Sequence, residues 1–172
     1  MPTLIKDRRI VTDSWRLLEC GSIRDLTGVP VAEEAIVPLV LWLARREDLL
    51  ARSARLGVWL DAHEGPEAIA LDVDRFALIA VNFPKFGDGR GYSIARLLRE
   101  RWNYRGELRA IGDVLHDHLY FMEQCGFDAF ALRDDQDARA ALTAFATFSD
   151  GYQSSVLRPL PLFRRRPAAG AS

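Results

Sequence analysis

One short segment of the sequence carries residue types that can bind an anion. Within residues 85–91, Lys85, Asp88 and Arg90 are interleaved with glycines at positions 87, 89 and 91. Lysine and arginine neutralise negative charge, and the N–H groups of a glycine-rich turn before a helix are natural anion donors. The segment therefore predicts a binding site for a small anionic ligand. The alternative is that these side chains are solvated loop residues.

The glycine spacing excludes two common nucleotide-binding motifs. A dinucleotide fingerprint, G-x-G-x-x-G, would need a glycine where Tyr92 stands, and a P-loop would need G-K-[ST] after four intervening residues. The glycines are instead expected to serve tight turns with positive φ. Lys85 is either an amine nucleophile or a point charge.

Alternating apolar and amphipathic stretches place this segment between a strand and a helix. Strands are predicted at residues 56–60, 77–83, 107–111 and 128–132. Helices are predicted at residues 38–53, 66–71, 93–102, 114–124 and 136–148, with Ser93 as a cap and Gly126 as a stop signal. Strands that alternate with helices favour an α/β fold built from βα repeats. We expect a single domain over residues 1–163 with a mostly parallel sheet, either open or half-barrel-like.

A parallel sheet would bring the residues that follow each strand to one edge. Ligands of α/β proteins usually bind at that edge. The predicted anion-binding residues are Lys85, Arg90, Ser93 and Arg133, and the further candidates are Asp88, Tyr92 and Asp113. For Asp113 two roles remain open, a helix cap or the positioning of a ligand donor. The other residues expected at this edge are Asp61, His63, Glu64, Asn82, Gly112, Asp134 and Asp135.

Composition limits the classes of function. The 172 residues carry a net charge near −1, so no general attraction to nucleic acid or acidic lipid is expected. The sequence has two cysteines, Cys20 and Cys125, which is too few for a four-cysteine metal site. They lie far apart in the sequence, and both are expected to be buried. His116 and His118 are two residues apart on a predicted helix and would not share a metal, so no metal site is predicted.

Targeting signals are also missing from the sequence. The first ten residues are polar and lack the apolar stretch of a signal peptide. The longest apolar run contains Pro38 and is too short to span a membrane. These features predict a cytoplasmic protein, with residues 164–172 as a disordered tail.

Three longer stretches resemble one bacterial family. They are residues 83–101, beginning Phe-Pro-Lys-Phe-Gly-Asp-Gly-Arg-Gly-Tyr-Ser; residues 106–115, Gly-Glu-Leu-Arg-Ala-Ile-Gly-Asp-Val-Leu; and residues 125–130, Cys-Gly-Phe-Asp-Ala-Phe. Members of that family are named as probable oxidoreductases involved in sulfite reduction. The family residues that map onto this chain are Lys85, Asp88, Arg90, Tyr92, Ser93, Arg96, Arg109, Gly112 and Asp113.

The resemblance implies an accessory protein of assimilatory sulfite reduction, either a redox component or a partner of sulfite reductase. No motif identifies a cofactor, so the cofactor stays open. A second interpretation is a binding module or enzyme, without redox chemistry, for an anionic metabolite held by Lys85 and Arg90. A third is a non-catalytic interaction domain that forms a homodimer.

Overall fold

The described part of the chain forms one sheet of eight strands. The computed structural model describes residues 4–19, 33–51, 54–85, 87–146 and 154–160. The strands are β1 (Leu4–Lys6), β2 (Arg9–Val11), β3 (Arg16–Leu17), β4 (Ala35–Pro38), β5 (Leu56–Leu60), β6 (Leu78–Phe83), β7 (Glu107–Gly112) and β8 (Ala129–Ala131). They lie in the order β2-β1-β8-β7-β6-β5-β4-β3, and the sheet curls as a half-barrel.

The direction of the strands confirms the predicted mostly parallel sheet. Neighbours from β3 to β8 are all parallel, whereas β1 runs antiparallel to β8 and β2 runs antiparallel to β1. β5 has the predicted bounds, and β6, β7 and β8 begin and end within one residue of theirs. The apolar runs therefore located the centre of the sheet, and the antiparallel strands at one edge were not predicted.

Helical segments accompany the strands. The α-helices in the described ranges are α1 (Leu39–Leu50), α2 (Arg90–Glu100), α3 (Leu119–Gln124) and α4 (Ala138–Ala141). The 3-10 helices are Pro66–Ile69, Val73–Arg75, His116–His118 and Leu142–Ala146. Three predicted helices thus consist partly or wholly of 3-10 turns. None of the described helices is long and apolar enough to cross a lipid bilayer.

One strand before a predicted helix was not predicted. The helix predicted from about residue 38 begins at Leu39, and the residues immediately before it, Ala35–Pro38, form the buried strand β4. Pro38 has φ −66° and ψ 151°, an extended conformation that a proline allows at the end of a strand. A short apolar run has no periodicity that separates a buried strand from a buried helix.

The described helices pack on one face of the sheet. From β3 to β8 the strand order follows the chain order, and right-handed crossovers in such an order place every connection on the same side. Side chains of α1, α2 and α3, including Trp42, Leu98 and Met122, join one buried cluster with the residues of the sheet that point toward them.

The opposite face, here called the inner face, has its own smaller apolar cluster. Its buried members are Ile36, Leu78, Ala80 and Ile111, and Trp15 and Trp59 pack against them.

A chain of buried charges also lies on the inner face. Arg109 donates from Nε to Glu107 Oε1 at 2.8 Å and from Nη1 to Asp13 Oδ2 at 2.7 Å. Lys6 Nζ donates to the other oxygen of Glu107 at 2.7 Å. The Arg109 and Glu107 side chains are only 3% and 5% exposed, so each charge depends on these partners to offset the loss of water.

Residues 12–19, here called the strap, run along the inner face and include β3. Asp13 fixes the strap to Arg109. Further along, the Leu18 N–H donates to the Ile36 carbonyl at 2.9 Å, and Trp59 Nε1 donates to the Leu18 carbonyl at 2.8 Å. The strap is therefore held at both ends. The predicted tail at residues 164–172 and Cys20 lie outside the described residues.

Candidate functional site

The carboxyl ends of β5, β6, β7 and β8 share one edge of the sheet, here called the rim. The register pairs Leu60 with Val81 and Phe83 with Gly112, so the loops that follow these strands leave the sheet side by side. The structure therefore confirms the edge geometry that the sequence predicted. Whether a ligand binds there remains a prediction.

The loop after β6 contains a tight ion pair between Asp88 and Arg90. Arg90 donates from Nε to Asp88 Oδ1 at 2.9 Å and from Nη2 to Oδ2 at 2.6 Å, and its backbone N–H also donates to Oδ1 at 3.1 Å. The Asp88 carboxylate thus occupies the amino end of α2, where an external anion would otherwise find free donors. Hydrogen bonds from Arg90 lower the pKa of this carboxyl to about 2.

Packing requires a glycine at only one of the three glycine positions of the loop. A Cβ on Gly91 would lie 2.6 Å from the buried ring of Phe83, so the close packing of α2 on β6 requires a glycine there. A Cβ on Gly87 or Gly89 would meet nothing within 4 Å. The expectation of positive φ is wrong for this loop, because the described glycines with positive φ are Gly112 and Gly126. The backbone at Gly87 and Gly89 is therefore open to an approaching group.

Lys85 and Arg133 differ in whether their positive charge is already paired with carboxylates of the described residues. Lys85 is exposed, and its ammonium forms no ion pair with the described residues. Arg133 donates from Nε and Nη2 to Asp135 and from Nη1 to Asp113 at 2.7 Å, so all three of its nitrogens are engaged. Of the two, Lys85 is the cation that can turn to a ligand without first breaking an ion pair.

The remaining candidates of the sequence analysis take other positions. Ser93 lies in the first turn of α2 and is not its cap, because the helix begins three residues earlier at Arg90. Tyr92 packs against the rings of Phe83 and Phe121, with centroid distances of 5.2 and 4.8 Å, and burial raises the pKa of its hydroxyl. Tyr92 and Ser93 line a groove of about 240 Å³ between α2 and α3.

Asp113 does not cap a helix. The 3-10 helix that follows it begins at His116, with Leu115 at the cap position, so the capping interpretation is wrong. Asp113 instead accepts a hydrogen bond from Arg133. This pair joins the loop after β7 to the loop after β8 and stabilises that part of the rim.

A second polar group on the rim joins the loops after β5 and β6. Asn82 Nδ2 donates to Asp61 Oδ1 at 3.0 Å, and His63 Nδ1 lies 3.2 Å from Asp61 Oδ2. The Asp61 N–H donates to Glu64 Oε2 at 2.7 Å. Asp61 is thereby fixed as an acceptor between an amide and an imidazole.

Cys125 is a structural thiol rather than a reactive one. Its side chain is free and only 4% exposed, and burial raises the pKa of the thiol to about 11. A thiol with such a pKa is protonated at neutral pH and is a weak nucleophile. Among the described residues, no three His, Cys, Asp or Glu side chains form a group that could hold a metal ion.

Sequence comparison assigns the chain to a family. The profile of DUF934, a family of bacterial proteins of unknown function, matches residues 57–163, which is more than half of the chain. The chain belongs to the DUF934 family. The matched region begins in β5 and therefore contains every rim residue described above. No curated protein and no solved structure matches this DUF934 chain.

The structural roles of two residues, Arg109 and Trp59, were not predicted from the sequence. Arg109 was noted only through the resemblance, although a charged pair at alternate positions of an apolar strand, Glu107 and Arg109, already signals a polar stripe on one face. Trp59 was treated as part of an apolar strand, and its hydrogen bond to the strap depends on a contact between residues 41 positions apart.

The ion pair in the loop predicts how Asp88 titrates. In the folded protein the Asp88 carboxyl should titrate near pH 2, and replacement of Arg90 by alanine should raise its pKa toward the usual value of about 4, because the two side-chain hydrogen bonds are lost and only the one from the backbone N–H of residue 90 remains. Since the folded-state pKa is the lower one, the pair stabilises the fold above about pH 4, and this contribution is lost as pH falls toward 2.

Carbon-detected NMR of the side-chain carboxyl would measure this midpoint. An Arg105→Ala variant, which removes an exposed arginine outside the loop, serves as the control and should leave the Asp88 titration unchanged. An Asp88 midpoint near pH 4 in the unmodified protein would show that the ion pair is not formed in solution.

Proposed function

We propose that this protein is an accessory protein of assimilatory sulfite reduction that binds a small oxyanion, such as sulfite, at residues 84–91, and acts together with sulfite reductase. The observation that carries the binding part is the open backbone at Gly87 and Gly89 beside Lys85. The pathway part is supported by the resemblance of residues 83–101, 106–115 and 125–130 to the family named for sulfite reduction.

The loop has the donors that an oxyanion needs. Lys85 contributes an ammonium that forms no ion pair within the described part of the chain. Arg90 uses Nε and Nη2 for Asp88, which leaves the Nη1 donors available. Glycine lets a ligand approach the main chain closely, and no side chain of the described residues fills that space at Gly87 or Gly89.

Asp88 sets an upper limit on the affinity. Its carboxylate neutralises Arg90 and already accepts the Arg90 N–H at the amino end of α2. Lys85, Asp88 and Arg90 together therefore carry one net positive charge, which favours weak and reversible binding. We expect a dissociation constant on the order of 1 mM for sulfite.

A binding role fits the described residues better than thiol-based redox chemistry. Cys125 is buried and protonated, as its raised pKa indicates. The groups that remain accessible on the rim, Lys85, His63 and the amide of Asn82, bind and orient ligands or exchange protons. Electron transfer would then be carried out by the reductase.

Sulfite should stabilise the protein against heat. With a dissociation constant near 1 mM, 10 mM sulfite should raise Tm by about 3 °C relative to sodium chloride at equal ionic strength. Lys85→Ala should abolish this shift. The double variant Gly87→Ala and Gly89→Ala should keep its basal Tm, because both Cβ atoms enter open space, but should lose most of the shift.

Differential scanning fluorimetry under anaerobic conditions would measure these shifts. Arg105→Ala removes one exposed positive charge outside the loop and is the matched control, which should respond like the unmodified chain. An equal loss in Arg105→Ala and Lys85→Ala would point to a general charge effect, and a full response in Lys85→Ala would exclude the loop as the site.

The pathway assignment makes a separate prediction for growth. A deletion strain of the bacterium that carries this gene should grow with cysteine or sulfide but not with sulfate or sulfite as the sulfur source. The intact gene should restore growth on sulfate, and the Lys85→Ala gene should restore it poorly. Normal growth of the deletion strain on sulfate would reject the role in sulfite reduction while leaving anion binding unaffected.

A further inference from the structure

A second hollow lies on the inner face, under the strap and beside the rim. It measures about 240 Å³ and is open to solvent. Its walls are mainly apolar. The residues that define it are Leu17 and Glu19 of the strap and Trp59, Asn82, Ile111 and Gly112 of the sheet. Small-molecule sites typically measure about 300–1,000 Å³, so a hollow of this size suits a ligand of one ring.

The strap gives this hollow a fixed wall. Trp59 Nε1 donates to the Leu18 carbonyl, so the indole ring in the wall and the strap above it are joined directly. On the other side of the strap, Arg109 binds Asp13 with two hydrogen bonds. The wall is therefore preformed rather than dependent on a ligand, which lowers the cost of binding.

Asn82 presents an acceptor to the hollow. Asp61 Oδ1 can only accept, so the amide of Asn82 must turn its Nδ2 toward Asp61. Its Oδ1 then faces away from Asp61 and toward Gly112, and it accepts no hydrogen bond from the described residues.

The position of Gly112 keeps this arrangement possible. A Cβ at this residue would overlap both Asn82 Oδ1 and the Phe83 carbonyl oxygen, and φ at Gly112 is +89°. A glycine is thus needed both for the backbone conformation and for the close approach of the Asn82 amide. The position of Asn82 Oδ1 in the wall of the hollow therefore depends on Gly112.

Glu19 adds a negative charge to the same hollow. It is exposed, and its carboxylate has no ion-pair partner among the described residues. The polar side chains that line the hollow therefore offer acceptors, whereas the loop at residues 84–91 offers donors and positive charge. The two sites select ligands of opposite character.

We propose that the hollow between the strap and β5, β6 and β7 is a binding site for a single aromatic or heteroaromatic ring that carries N–H donors or a positive charge. The ring lies against Trp59 and Ile111, its N–H groups donate to Asn82 Oδ1, and Glu19 neutralises its charge. This site is independent of the oxyanion site, and neither requires the other.

Benzamidine and benzoate form a matched pair of probes. Both are single rings of the same size, but benzamidine is a cation with N–H donors and benzoate is an anion with acceptors only. We expect benzamidine to bind with a dissociation constant of about 1 mM and to shift the indole N–H resonance of Trp59 in a proton–nitrogen NMR spectrum. Benzoate at the same concentration should not shift it.

Two variants test the two parts of the site. Glu19→Gln keeps the shape and removes the charge, and should weaken benzamidine binding about tenfold. Ile111→Phe fills the hollow and should abolish binding. Ile10→Phe makes the same change at an exposed position of β2, which lies at the opposite edge of the sheet from β3, and should bind like the unmodified chain.

Three results would overturn the proposal. Equal shifts with benzoate would show that charge and donors are not selected. Undiminished binding in a folded Ile111→Phe variant would place benzamidine outside the hollow. Glu19 is exposed, so Glu19→Gln leaves the fold intact. If Ile111→Phe does not fold, an unchanged affinity of Glu19→Gln for benzamidine would by itself contradict the proposed site.

Discussion

The guanidinium of Arg109 is the group on which the inner face depends. It lies in a central strand of the sheet with a side-chain exposure of 3%, and it is balanced by Glu107 in its own strand and by Asp13 in the strap. Lys6 completes the set from β1. An arginine buried in this way is tolerated only while its partners are in place, because an unpaired buried charge is strongly destabilising. Arg109 therefore fixes the strap, and its partner Glu107 links β7 to β1 through Lys6.

The described helices pack on one side of the sheet, which leaves two separate candidate binding regions, one at the rim and one under the strap. The described helices bury one face of the sheet in a large apolar cluster, and the inner face carries a smaller apolar cluster together with the charges around Arg109. At the rim, the loop at residues 84–91 offers Lys85 and the open backbone at Gly87 and Gly89. Under the strap, the hollow offers acceptors beside apolar walls. Asn82 belongs to both regions, since it donates to Asp61 on the rim and borders the hollow.

The centre of the sheet could be read from the sequence because it depends on local patterns. Residues 56–60 form an uninterrupted apolar run with the bounds of β5, and the repeated alternation with helical segments was enough to predict parallel strands. The same logic placed Lys85 and Arg90 at the rim. Local patterns did not separate β4 from the helix that follows it, because both are apolar and the boundary is a single proline.

The pairing of charges could not be read from the sequence, because it depends on long-range contacts. Asp13 and Arg109 are 96 positions apart, and no local pattern relates them. The same holds for Arg133, which the sequence offered as an anion ligand and which the structure shows engaged with Asp113 and Asp135. A cation in a sequence is thus only a candidate ligand until the carboxylates around it are known.

Equilibrium unfolding of an Arg109→Met variant tests the central claim most directly. Removal of the guanidinium leaves Asp13 without its partner, so the free energy of unfolding should fall by about 3 kcal/mol, and the amide of Leu18 should exchange its hydrogen faster as the strap loosens. Arg96→Met breaks an exposed pair with Glu100 and should cost less than about 0.5 kcal/mol. An Arg109→Met variant as stable as Arg96→Met, with Leu18 still protected, would contradict the account.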